Sequence, residues 1–147
     1  RNVDGGILVQ DTDTSTIQLE NLKIVTNTKP STAELNTMLF GWKVLKHVKS
    51  NGIIIVKENV TIGVGAGQVS RVDAVDIAIK KSGKNLKGSI LCSDAFFPFR
   101  DSIDKIAGTG ITAVIQPGGS VRDEEVIGAC NEHGIAMVFT ARRCFKH

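Results

Sequence analysis

The chain has 147 residues, 41% hydrophobic and 22% charged, which is the balance of one globular domain with a real core and excludes a disordered or fibrous polymer. No apolar run approaches the ~20 residues of a membrane-spanning helix, and no charged-then-apolar leader opens the chain. A net charge of +3 is weak support for nucleic acid and fits a phosphorylated small molecule equally well.

In chain order, Gly5-Gly6-Ile7-Leu8-Val9-Gln10 reads as an opening strand, residues 11–18 as a polar loop, and 22–25 as a short extended piece. Pro30-Ser31-Thr32-Ala33-Glu34 starts a helix, because Ser31 and Glu34 have capping-box spacing. Leu35, Met38, Leu39, Trp42 and Leu45 then give it one apolar face, and Asn51-Gly52 should end it. Residues 53–56 and 60–64 form a hairpin around Lys57-Glu58-Asn59. A helix over 70–81 follows a glycine-rich turn. Three further apolar runs, 89–92, 111–115 and 135–139, are separated by helical segments 101–107 and 121–132. Strands that are apolar throughout and alternate with helices describe a sheet buried on both faces, with parallel connections.

Three loops could carry chemistry. Gly63-Val64-Gly65-Ala66-Gly67 leads into Ser70-Arg71 at a helix start. It is either a tight hairpin exit or an anion-binding turn. It lacks both the dinucleotide spacing and the P-loop lysine. A cation at a helix N-terminus opposes the dipole, so Arg71 calls for an anionic partner. The second loop, Ser93-Asp94-Ala95-Phe96-Phe97-Pro98-Phe99-Arg100-Asp101, places three aromatics, two carboxylates and two further polar side chains at a strand end. Two of the phenylalanines should fill core and at least one should face a cleft or a neighbour. The third loop is Gln116-Pro117-Gly118-Gly119-Ser120. If its strand neighbours that of the second loop, the two lie side by side where α/β sheets gather ligands. Lys46-His47 reads as flanking or exposed, and His133 and His147 as a helix end and a chain terminus. Cys92, Cys130 and Cys144 have no paired spacing, which argues against zinc and for a reducing compartment, hence the cytoplasm.

These motifs, together with Gly65 to Arg71, Ser50-Asn51 and the Arg143-Cys144-Phe145-Lys146-His147 ending, resemble the C-terminal part of the AICAR transformylase/IMP cyclohydrolase family. The resemblance covers essentially the whole chain, and the short connection between Lys80 and Ser93 is similar to bacterial members. It implies one domain over 1–147, a three-layer α/β/α, cytidine-deaminase-like unit with a mixed, largely parallel sheet. Since the chain opens on Arg1, it would be a piece of a longer protein. The family transfers a formyl group from 10-formyltetrahydrofolate to AICAR and closes the product to IMP.

By that resemblance Asn51, Arg71, Phe96 and Arg143 would bind the ribotide, with Asn51 also aligning the reacting groups. Val72, Asp101, Ser120 and Val121 would contact the folate. A structural monovalent cation, potassium, would involve Ser50 and Asp94. The family's catalytic Lys-His lies in another unit, in a Val-Lys-His context unlike Lys46-His47. The segment alone is therefore expected to be inactive, its site being completed across a homodimer, with no nucleic acid or membrane as partner. The alternative reading is a non-catalytic nucleotide-binding α/β module.

Overall fold

A computed structural model describes residues 2–9, 11, 14, 16–84 and 86–146. The expected opening strand is instead a small exposed hairpin of β1 (Asn2–Val3) and β2 (Gly6–Ile7), and Gln10 and His147 lie outside the described residues. The elements that follow are β3 (Lys23–Ile24), α1 (Thr32–Leu45), β4 (Ile53–Lys57), β5 (Val60–Gly65) and α2 (Arg71–Ser82). After them come β6 (Ser89–Ser93), α3 (Asp101–Ile106), β7 (Ile111–Gln116), α4 (Asp123–Glu132) and β8 (Ala136–Phe139).

Local chemistry sets the boundaries. Ser31 Oγ accepts the Glu34 amide at 3.2 Å and a Glu34 carboxylate oxygen accepts the Ser31 amide at 2.7 Å, completing the capping box of α1. The other Glu34 oxygen accepts Thr112 Oγ1 at 2.6 Å and ties the helix to β7. Partial burial works to raise the Glu34 pKa, but the hydrogen bonds from Thr112 and Ser31 outweigh it and hold the carboxyl below its usual range. Helix α1 stops at Leu45, well over one turn before the expected end at Asn51-Gly52. The β4–β5 turn places Glu58 and Asn59 at φ 49° and 60°, the backbone of a tight hairpin.

The main sheet has the order β3-β8-β7-β6-β4-β5. Pairs β6–β7 and β7–β8 are parallel, whereas β3–β8, β4–β6 and β4–β5 are antiparallel. Strands β5, β6, β7 and β8 therefore point one way and β3 and β4 the other, a mixed sheet with most strands in one direction.

Alternation along the strands feeds two cores. On one face Ile54, Val56, Ile90 and Ile115 pack with Met38, Trp42 and Leu45 of α1. On the other, Ile53, Ile55, Leu91 and Val114 meet Val75 of α2, Ile103 of α3 and Val126 of α4. The result is the three-layer α/β/α arrangement. Its topology brings the carboxyl ends of β5, β6, β7 and β8 and the start of β4 to one edge.

Gly63 and Gly65 belong to this packing, not to a ligand loop. A Cβ on Gly65 would lie 1.9 Å from the Ala74 carbonyl oxygen, and one on Gly63 would lie 2.3 Å from that of Ala78. Bare backbone lets β5 press against α2. Only Gly67 of the three takes a positive φ, 67°.

Candidate functional site

At that edge lies a cleft of about 400 Å³. The loop leaving β5, the first turn of α2, the loop between β6 and α3, and the C-terminal tail all contribute to it. Ser70 caps α2 by accepting the Asp73 amide at 3.1 Å, which fixes Arg71 in the first turn.

Arg71 is 8% exposed, and the anionic partner its position demands is inside the protein. Its Nη1 donates to Asp94 Oδ1 at 2.5 Å and to Ser93 Oγ at 2.9 Å, and its Nη2 donates to Asn51 Oδ1 at 2.9 Å. Asn51 in turn donates Nδ2 to the carbonyls of Gln68 and Val69, each at 3.0 Å. Both of its N–H groups are thereby aimed at backbone, so what Asn51 offers a ligand is the second lone pair of Oδ1.

The three phenylalanines divide by layer. Phe97 is fully buried in the core, its amide held at 3.1 Å by the Oε1 of buried Gln116. Phe96 is half-buried and lines the cleft, and Phe99 is exposed on its rim. The Arg143 guanidinium lies 5.3 Å from the Phe96 ring centre and 5.8 Å from that of Phe145. Among the described residues no carboxylate pairs with Arg143, leaving its charge available in the cleft.

Six of the residues singled out in the sequence therefore meet here: Asn51, Arg71, Val72, Phe96, Asp101 and Arg143. Ser120 and Val121 do not line the cleft. They sit on the neighbouring β7–α4 loop, whose Arg122 stacks at 4.9 Å over Phe99 on the rim. Strands β6 and β7 are adjacent, so the second and third loops do lie side by side. Lys46-His47 lies at the end of α1, outside the cleft.

The Ser50 and Asp94 side chains, where the resemblance implies a monovalent cation, both carry protein hydrogen bonds. Asp94 has both carboxylate oxygens engaged, by Arg71 and by the Gly52 amide at 2.9 Å, and a cation there would face the guanidinium. Ser50 Oγ accepts the Lys146 amide at 3.0 Å. Sequence reasoning missed the Asp94–Arg71 pair. The demand for an anion at Arg71 was visible, but its source lay 23 residues further along the chain.

The fold is a three-layer, cytidine-deaminase-like α/β unit with a cleft at the strand carboxyl edge. The RibD structure from Acinetobacter baumannii shares this fold, with a TM-score of 0.50 at 15% identity over 74% of this chain and 34% of that one. A model of the AICARFT/IMPCHase bienzyme family matches residues 1–81, and the chain belongs to that family. The bifunctional purine biosynthesis protein PurH of Aquifex aeolicus is 57% identical over 150 residues, and that of Persephonella marina is 58% identical over 151. Each comparison takes in all of this chain and 29% of the relative, so the chain spans under a third of their length. No helix among the described residues is long and apolar enough to cross a membrane.

Proposed function

We propose that this chain is the C-terminal unit of a cytoplasmic, homodimeric purine-biosynthesis enzyme that transfers a formyl group from 10-formyltetrahydrofolate to AICAR. The full-length protein would also close the product to IMP. The reading rests above all on the convergence of Asn51, Arg71, Phe96 and Arg143, from four separate segments, on one cleft.

Arg143 supplies the uncompensated cation that a ribotide phosphate needs, and a guanidinium meets phosphate through paired hydrogen bonds. Arg71, already neutralised by Asp94, contributes geometry in place of net charge. Phe96 packs beside the heterocycle. Asp101 accepts from the amino edge of the pteridine, next to Val72, with Ser120 and Val121 further out along the same ligand. Asn51 Oδ1 accepts a hydrogen of the 5-amino group and holds its nitrogen toward the formyl carbon. That nitrogen attacks, its proton passes by way of a base held elsewhere in the assembly to folate N10 as the formyl carbon–N10 bond breaks, and tetrahydrofolate departs. This unit's share of the catalysis is positioning.

The test uses the full-length enzyme. Arg143→Ala is expected to lower ribotide kcat/KM for formyl transfer about 10- to 100-fold, the loss of a charge-assisted contact, with cyclohydrolase activity unchanged. Parallel loss of both activities would remove the assignment. Tight nucleotide binding by a wild-type enzyme that forms no tetrahydrofolate would favour the non-catalytic binding module instead.

A further inference from the structure

Asp94 is completely buried and does not line the cleft, yet it holds three of the segments that do. One carboxylate oxygen takes Arg71 Nη1 at 2.5 Å, and the other takes the Gly52 amide at 2.9 Å, beside Asn51. Its own amide donates to the Gly52 carbonyl at 3.2 Å, and its carbonyl accepts the Cys144 amide at 3.1 Å, next to Arg143. Ser93 supports the same guanidinium, accepting from Nη1 at 2.9 Å while donating to the Ala95 carbonyl at 2.7 Å. From Asp94 the chain of contacts runs through Arg71 to Asn51 Oδ1 and ends in the cleft.

We infer that Asp94, assisted by Ser93, is the positioning residue of this site. It sets the plane of the Arg71 guanidinium, which sets the Asn51 amide, and through Gly52 and Cys144 it fixes the two segments that carry Asn51 and Arg143. A buried ion pair needs excellent geometry and full hydrogen bonding to offset its desolvation, and apolar residues often fill such a place as well. What distinguishes this pair is its direction, since the acceptor at its far end faces ligand space. The effect on catalysis rests on the cleft being the ribotide site, whereas the effect on Arg71 and Asn51 does not.

In the full-length enzyme Asp94→Asn is expected to raise ribotide KM and lower kcat, together about 100-fold in kcat/KM, as ångström-scale misplacement does. Cyclohydrolase activity of the same protein should stay unchanged. Arg71→Lys keeps a charge for Asp94 but has no planar fork to reach Asn51, and should lose a comparable share. Crystal structures of the two variants should show the Asn51 amide released from its wild-type orientation. An unchanged KM with kcat falling only in proportion to folded protein would overturn the inference, as would Asn51 unmoved in either variant. If Asp94→Asn does not fold, Ser93→Ala decides. It removes one acceptor of Arg71 without unpairing a charge and should raise KM severalfold, and no change would count against the inference. A wild-type enzyme that transfers no formyl group would refute the functional reading, while the crystallographic arm would still decide the role of Asp94.

Discussion

Among the arginine–carboxylate contacts of the described residues, two have nearly the same bond lengths and opposite surroundings. Arg71 and Asp94 meet at 2.5 Å with side chains 8% and 0% exposed. Arg100 meets Asp104 at 2.9 Å and Glu132 at 2.6 Å, and His133 adds a 2.9 Å contact to Asp104, with side chains 33% to 58% exposed. The exposed group joins α3 to the end of α4, where water and salt screen it and its long side chains lose rotamer freedom. The buried group has little water to fall back on, since Asp94 is fully enclosed and Arg71 is 8% exposed. Its importance lies less in what the pair adds than in what the loss of one partner leaves behind.

The largest effect should come from breaking the buried pair on one side only. Asp94→Ala strands the Arg71 guanidinium in the interior and is expected to destabilise the fold by about 3–5 kcal/mol in denaturant unfolding. Cys130 is completely buried, and burial also pushes its thiol up to about 12, so its alkylation reports unfolding. Replacing both partners, as in Arg71→Met with Asp94→Leu, should recover most of that loss while ligand binding stays absent. If the double variant is as unstable as Asp94→Ala, the cost lies in packing and not in charge, and the contrast between the two constellations weakens.

A smaller effect is expected where the buried constellation depends on backbone packing. Gly65→Ala would drive a methyl into the Ala74 carbonyl and push β5 from α2, the helix that carries Arg71 in its first turn. Over-packing of this kind costs about 1–3 kcal/mol. Calorimetry would register the loss, and the same variant should weaken nucleotide binding by displacing Arg71. Full affinity at reduced stability would show that the relay tolerates movement of its helix.

The sequence showed much of this frame because its signals are local. Ser31 and Glu34, Glu58-Asn59, and the apolar runs in β6 and β7 each specify structure within a few residues. The family motifs also brought six of the eight expected ligand contacts to one cleft. What stayed hidden is relational. Alternate glycines look alike whether they turn a loop or admit a helix, and only the approach of α2 shows that Gly63 and Gly65 do the latter. The resemblance implies a cation at Asp94, and nothing within the motif reveals that Arg71 pairs with it. Likewise β1 and β2 carry apolar residues that resemble a core strand, yet they lie exposed, with Ile7 at 70%.

The smallest effect belongs to the exposed group, and its signature is conditional. Hydrogen bonds from Arg100 and His133 hold the Asp104 carboxyl down at about 2, and Arg100 holds Glu132 below its usual range. A carboxylate whose folded pKa is depressed adds stability above its ordinary pKa, 3.8 for Asp104, and loses it as pH falls through the folded value. Arg100→Ala should therefore lower the melting temperature slightly at neutral pH. The gap from wild type should close between about pH 4.5 and 2, and should shrink at about 1 M salt, where the Debye length is near 3 Å. Asp94→Ala should show no such salt dependence, because its charge is shielded by protein and not by ions. A gap for Arg100→Ala that persists at low pH and in high salt would mean that the aliphatic stem of Arg100 matters more than its charge. Exposure alone would then be a poor guide to which arginine the fold depends on.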